Sequence, residues 1–221
     1  RSIHNDKPKG FLQLGEKPII EESISRLVYS GINKIIIVNG YQNHYYDELK
    51  KKYPFVQTIK NEVFETTGSM YSLWIAKELI DEDFLLLESD LLYEFNALQT
   101  LLNDERKNVI LLSGKTNAGD EVYVGVDGEC IVNMSKQLSD IKKLGGELVG
   151  ISKISLELYK KMSAHSEKQF ETKKNYHYED CLTDLAASNK INYNLVEDLA
   201  WIEIDDEQHH KRAVEVVYPL I

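Results

Sequence analysis

Two short acidic stretches carry the clearest chemical signal in this 221-residue sequence. In "LLLESDLLYE", residues 85–94, Glu88, Ser89 and Asp90 follow directly on Leu85, Leu86 and Leu87, where a buried strand should be leaving its sheet. In "WIEIDD", residues 201–206, Asp205 and Asp206 likewise follow an apolar run. Open α/β sheets bind ligands beyond the carboxyl ends of their strands. Aspartates at two strand ends are therefore placed to share one Mg²⁺, a hard cation that takes few carboxylates and completes its shell with substrate phosphates. The competing reading is structural: Asp90 ends a strand, and Asp205 or Asp206 caps the last helix with help from Glu207 or Gln208. Capping leaves Glu88-Ser89-Asp90 unexplained, because "LLYE" stands between Asp90 and the next helix. Spacing alone leaves both readings open.

No Ser–His–Asp or Cys–His set stands out. Cys130 and Cys181 are far apart, which is neither a zinc spacing nor a disulfide framework, and fits a reducing, cytoplasmic setting. His209-His210 has no third ligand at metal spacing and reads as surface, and His177 beside tyrosines reads as packing. Asp120 and Glu147 are further acceptors without an assigned place.

The elements that must position these residues alternate. In "KPIIEESISRLVYSG", Ile19, Ile20, Ile24, Leu27 and Val28 fall on one helical face, and Gly31 is a natural stop. "KIIIVNG" is a β-branched run of the kind buried on both faces of a parallel sheet. "HYYDELKKKYP" reads as a helix ending before Pro54, its lysines favourable at the C-terminal dipole. "VQTIKN" is a strand, "TTGS" an N-cap for the helix "MYSLWIAKELI", "DFLLLE" a strand, "YEFNALQTLLND" a helix and "NVILLSG" a strand. This alternation predicts an α/β fold with helical crossovers. Beyond it, "EVYVGVDGECIVNMSK" reads as a hairpin around Asp127-Gly128. "GGELVGISKIS" adds a strand, "LELYKKMS" a helix, and residues 163–175 a polar loop. "YHYEDCLTDLAAS" is a helix, "INYNLV" and "LAWIEI" are strands, and "DDEQHHKRAVEVVYP" is the closing helix. No linker divides the chain, so one domain over 1–221 is expected.

The net charge of −10 argues against a nucleic-acid polymer as partner, since phosphate backbones select basic surfaces. A small phosphorylated ligand stays compatible with a local basic pocket. Apolar runs such as "IIIV" are too short to span a bilayer, and no signal peptide is visible.

"KPKGFLQLGEKPIIEESISRLVYSGINKIIIVNGY" resembles the early part of the sugar-phosphate nucleotidyltransferases, especially the small cytidylyltransferases. "TTGSMYSLWIAKE", "LLLESDLLYE", "SGKTNAGDEVYVG" and "WIEIDDEQH" are similar to narrower motifs of the phosphocholine and 2-aminoethylphosphonate cytidylyltransferases. The resemblance covers almost the whole chain. It implies a Rossmann-like mixed, mostly parallel sheet flanked by helices, with a small hairpin-containing substrate-binding region. Such enzymes begin with a strand and a glycine-rich loop ending in Arg. Arg1 matches that loop's last residue, so the resemblance implies a strand and loop upstream of it.

The resemblance further implies Asp90 and Asp205 as Mg²⁺ ligands, with Asp206 adjacent. Arg1 and Lys9 match residues that hold the triphosphate, and Lys136 a lysine near the reacting phosphates. Thr67, Gly68 and Ser69 lie where the family reads the base, with Ser89 and Gly40 as further nucleotide-binding candidates. The implied partners are CTP and a small phosphonate or phosphate amine; a homodimer or a fusion to another catalytic domain is compatible with the sequence. The nucleophile, a phosphonate or phosphate oxygen, is already ionised, so the reaction needs alignment and charge neutralisation rather than a general base.

The amine is the open point. A quaternary ammonium calls for an aromatic cage, which Tyr176, Tyr178 and Trp201 offer; a primary ammonium calls for acceptors, which Glu179 and Asp180 offer. The similarity of "TTGSMYSL" and "TNAGDEVYVG" to the aminoethylphosphonate enzymes favours 2-aminoethylphosphonate, with phosphocholine as the alternative. A metal-dependent glycosyltransferase, which usually wants a D-x-D motif absent from "ESDLLYE", and a non-catalytic nucleotide-binding domain are the more distant alternatives.

Overall fold

The apolar stripe of residues 19–27 becomes helix α1 (Ile19–Tyr29), which buries Ile19, Ile20, Ile24 and Leu27. Val28, expected on that face, is 45% exposed, because it lies a full helical step from Leu27. Gly31, at φ +86°, closes the helix: its N–H meets Val28 O at 2.9 Å and the N–H of Ile32 meets Leu27 O at 3.0 Å. That pair of bonds is a Schellman stop, and its left-handed residue favours glycine.

A computed structural model describes residues 7–221. The strand and loop expected upstream, and Arg1 itself, lie outside the described residues. After α1, strand β1 (Ile35–Asn39) pairs in parallel with β2 (Val56–Lys60) across helix α2 (His44–Lys52). Helix α3 (Ser69–Ile75) leads to β3 (Phe84–Leu87), β4 (Leu91–Tyr93), helix α4 (Asn96–Leu102) and β5 (Val109–Ser113). The hairpin β6 (Tyr123–Asp127) and β7 (Cys130–Ser135) turns at Gly128, φ +57°, as the Asp-Gly signal predicts. Strand β8 (Leu144–Ile154), helices α5 (Leu156–Gln169) and α6 (Tyr178–Ala186), strands β9 (Asn192–Val196) and β10 (Trp201–Glu203) and helix α7 (Glu207–Arg212) complete the order.

The main sheet runs β3-β8-β5-β9-β7-β6. Strand β8 is antiparallel to both β3 and β5, so those two point the same way, and β9 lies parallel to β5. All five residues of β5 are buried, as its unbroken apolar run requires. Helices α3, α5 and α6 cover one face through Met70, Leu158, Met162 and Leu182. Among the described residues, β1 and β3 are each paired along one edge. Consecutive residues of both, 35–38 and 84–87, line one cavity of about 1040 Å³ that runs on into the acidic stretches.

Two expectations are corrected. Residues 163–169 continue α5 rather than looping, because Ser166 folds its hydroxyl onto Met162 O at 2.6 Å and is fully buried. The closing helix is regular only to Arg212 and ends in a wider turn over Ala213–Val217 and a 3₁₀ turn over Tyr218–Leu220 that carries Pro219.

Candidate active site

The segment "LLY" that seemed to separate Asp90 from a helix is itself strand β4, and it pairs antiparallel with β10. The register sets Leu91 opposite Glu203, and the N–H of Ile204 continues the ladder to Asp90 O at 3.1 Å. This short ladder lays the two acidic stretches side by side. It also separates the two adjacent aspartates. The Asp206 carboxylate accepts from His209 N at 2.8 Å and caps α7, while Asp205 turns to the opposite partner, Lys9.

Lys9 opens a 3₁₀ turn (Lys9–Phe11) behind the buried Pro8. Its ammonium donates to Asp90 Oδ2 at 3.1 Å and to Asp205 Oδ1. Burial opposes its charge, but the fields and hydrogen bonds of the two aspartates win and hold it well above the usual lysine range. Burial likewise works against the Asp205 charge, and Lys9 outweighs it, so that carboxyl sits below its ordinary value.

Further carboxylates crowd the same place. Oxygens of Glu88, Asp90 and Glu203 lie within 4.8 Å of one another. Burial, with the charges of its acidic neighbours, pushes Glu88 up to about 8, although the Tyr178 hydroxyl donates to it at 2.6 Å. Burial and the charges of Glu88, Asp90 and Asp205 push Glu203 up to about 9. Glu179 is raised as well, chiefly by burial. On the other side of Asp205, Asp120 and His209 complete a second close group, with Asp120 Oδ1 3.8 Å from His209 Nε2. The expectation that His209 sits on the surface is corrected: it is 7% exposed and its Nε2 lies 3.3 Å from Ala118 O.

Of the residues singled out in the sequence, Ser69, Ser89, Asp90, Lys136, Tyr178, Glu179, Asp180, Trp201 and Asp205 line the one cavity. Lys136 is exposed at its rim, with its positive charge acting on Asp120 and Glu179. Ser69 Oγ accepts from Tyr178 N at 3.1 Å, joining α3 to the start of α6, where Asp180 and His177 form a reciprocal cap. The "TTGS" cap is made by Gly68 without a side-chain bond. Gly40, Thr67 and Gly68 stand outside the lining. Thr67 Oγ1 is tied to Val63 O and Asn61, and a Cβ on Gly68 would meet Tyr176 O at 2.4 Å, so close backbone approach requires glycine there. Tyr176 lies in the core with its hydroxyl on Asp184 at 2.6 Å, which takes it out of any cage at the cavity. Trp201 remains at the wall, anchored through Nε1 to Ser113 Oγ at 2.8 Å. Glu147 is structural, accepting from Thr116 N and Oγ1 at 2.8 and 2.7 Å.

Sequence reasoning left Glu203 out of the site and Asp120 without a place. The period-2 pattern of "WIEID", with Glu203 and Asp205 on one side and Ile202 and Ile204 on the other, held the signal for Glu203. Asp120 sits in a glycine-bearing loop and had no periodic signal.

The donor set fits a hard cation: the groups clustered with Asp90, Glu88 and Glu203, are carboxylates, and a cationic group already bridges Asp90 and Asp205. Asp90 and Asp205, which Lys9 bridges, would hold Mg²⁺, with Glu203 in the close group of Asp90 and Asp120 in that of Asp205.

Residues 2–121 match the nucleotidyl transferase family, and the chain belongs to it. It is 33% identical over 94 residues to the choline-phosphate cytidylyltransferase of Streptococcus pneumoniae, covering 42% of this chain and 41% of that protein. It is 23% identical over 171 residues to the CTP:phosphoglutamine cytidylyltransferase of Campylobacter jejuni, covering 75% and 62%. The chain thus spans between about two fifths and three fifths of these relatives. Among solved structures it is similar to a CTP:phosphocholine cytidylyltransferase from Streptococcus pneumoniae, with a TM-score of 0.82 at 22% identity, covering 98% of this chain and 92% of that one. It is also similar to an inositol-1-phosphate CTP transferase from T. maritima, with a TM-score of 0.79 at 17% identity, covering 94% and 84%. These structural likenesses establish the fold, and the family sets the glycosyltransferase alternative aside. Among the described residues no helix is long and apolar enough to cross a membrane.

Proposed function

We propose that this enzyme is a cytidylyltransferase that joins CTP to 2-aminoethylphosphonate. A phosphonate oxygen attacks the α-phosphorus of CTP, the bond from that phosphorus to the bridging oxygen breaks, and pyrophosphate leaves. Asp90 and Asp205 would hold Mg²⁺, which would supply charge stabilisation for the transferring group and the departing pyrophosphate. Lys9 and Lys136 hold the phosphates and keep donor and acceptor in line. No residue is asked to remove a proton, because the attacking oxygen is already ionised. This agrees with a site built of carboxylates and lysines.

The observation that carries the choice of acceptor is the acidic wall of Glu88, Glu179 and Glu203 around the Tyr178 hydroxyl. A primary ammonium can donate three hydrogen bonds to such a wall, and its arrival favours the ionised form that burial disfavours in these carboxyls. The second reading, phosphocholine, is favoured by the choline-phosphate relative and by Trp201 at the wall, but Tyr176 does not face the cavity to complete a cage. The test is pyrophosphate release with CTP and Mg²⁺, offering both acceptors in parallel. Turnover confined to phosphocholine would overturn the choice of acceptor; no turnover with either, in protein that binds CTP, would overturn the reaction.

A further inference from the structure

We propose that the Lys9 ammonium serves as the site's own cation when no nucleotide is bound, bridging Asp90 and Asp205 until a triphosphate draws it away, so that divalent cation and nucleotide bind as one coupled event. This deepens the reading given above and rests on it. Lys9 is bonded to both aspartates, and its side chain is only 18% exposed. Its backbone has little freedom to retreat. Pro8 is buried with φ −60°, Leu12 N bonds Lys9 O at 2.9 Å, and a Cβ on Gly10 would already stand 3.0 Å from Ser89 O. What can move is the four-carbon side chain alone.

A divalent ion entering between Asp90 and Asp205 meets that ammonium at contact distance and must displace it or share both ligands with it. Alone, the ion leaves Lys9 partly buried without its partners. A triphosphate offers the ammonium new acceptors of higher charge, and the aspartates are then free for metal. Such coupling is reciprocal: whatever the nucleotide does for the metal, the metal does for the nucleotide. Lys136 does not substitute, since it is exposed at the rim and its field reaches Asp120 and Glu179.

The experiment is Mn²⁺ binding to the nucleotide-free protein, read from the relaxation of water protons, for wild type, Lys9→Met and Lys9→Arg. Lys9→Met should bind Mn²⁺ about tenfold tighter or more, within the usual range of coupling factors, while Lys9→Arg stays as weak as wild type. Equal or weaker binding by Lys9→Met overturns the proposal. A parallel thermal melt guards against loss of the fold: Mn²⁺ should raise the Tm of Lys9→Met more than that of wild type, and an equal shift overturns the proposal too. If Lys9→Met does not fold, Lys9→Gln takes its place in both measurements with the same two outcomes. None of these readings uses CTP or an acceptor, so a failed cytidylyltransferase assay and a failed Lys9 test are told apart.

Discussion

Asp205 and Asp206 are neighbours in sequence with opposite duties, and substituting each in turn should separate stability from turnover. Asp206 accepts one bond, from His209 N at 2.8 Å, at the start of α7. Replacing such a cap by Ala costs about 1 kcal/mol, which in a chain of this size lowers Tm by about 2–4 °C. That carboxylate is spent on a backbone N–H that caps α7, so Asp206→Ala should keep pyrophosphate release within about twofold of wild type. Asp205→Asn keeps the volume and removes the charge shared with Lys9. Its side chain is 41% exposed, so solvent screens the pair and its loss costs about 1 kcal/mol or less in stability. Turnover should nevertheless fall about 10²-fold or more, the size seen when one preorganised electrostatic partner of a transferring group is removed. The assay is paired: initial rates of pyrophosphate release at saturating CTP and thermal unfolding of the same preparations at pH 7. Loss of turnover in Asp206→Ala at unchanged Tm, or a fully active Asp205→Asn, would refute the division of labour between the two residues.

Three further outcomes follow from single contacts. Glu179→Gln should raise KM for the amine-bearing acceptor about tenfold and leave KM for CTP unchanged, checked by varying each substrate separately. Asp104 gathers Arg106 Nε at 2.9 Å, Arg106 Nη2 at 2.5 Å and Asn194 Nδ2 at 3.1 Å, and Arg106 holds its carboxyl well below the usual range. That stability is present above the unfolded value of 3.8 and is lost as pH falls below it, so urea melts should show wild type falling more steeply than Asp104→Asn below about pH 4, with the variant about 1–3 kcal/mol weaker at pH 7. Gly68→Ala should destabilise by about 1–3 kcal/mol, because its Cβ would collide with Tyr176 O; a melt within error of wild type would contradict the close approach.

The sequence was most informative where one physical rule acted alone. The stripe of α1, apart from Val28, the Asp-Gly turn between β6 and β7 and the unbroken run of β5 each follow from a single period or turn rule, and each is observed. Asp90 and Asp205 were legible as strand-end acids for the same reason. What stayed hidden depended on distant pairing. "LLY" has three apolar residues in a row, too few to carry a period, and it becomes a strand only because β10 arrives beside it. Without that ladder nothing in the sequence joins Asp90 to Asp205 or brings Glu203 into the site. Tyr176 and Tyr178 look equivalent by type and both are buried in one core cluster, yet Tyr178, whose hydroxyl reaches Glu88, also lines the cavity and Tyr176 does not. Lys9 was placed among the phosphate-binding residues by resemblance alone; its bridge between the aspartates is a fact of the fold.

The acidity of the chain takes on a different meaning beside this site. A net charge of −10 argues against a polyanion held by a basic surface, yet the proposed substrates include a triphosphate and a phosphonate. The two facts are reconciled by what the carboxylates bind. On the proposed reading, Asp90 and Asp205 would take a cation that a triphosphate also needs, and Glu88, Glu179 and Glu203 would face the cationic end of the acceptor. The anionic ends fall to a few lysines, of which Lys9 is held in place by the very groups that take the metal. Discrimination then rests on a charge pattern in space: a molecule with phosphate but no ammonium leaves the acidic wall unpaired, and an amine without phosphate leaves the lysines unused. On that reading, an acidic protein would select its anionic substrates by the positive charges they bring with them.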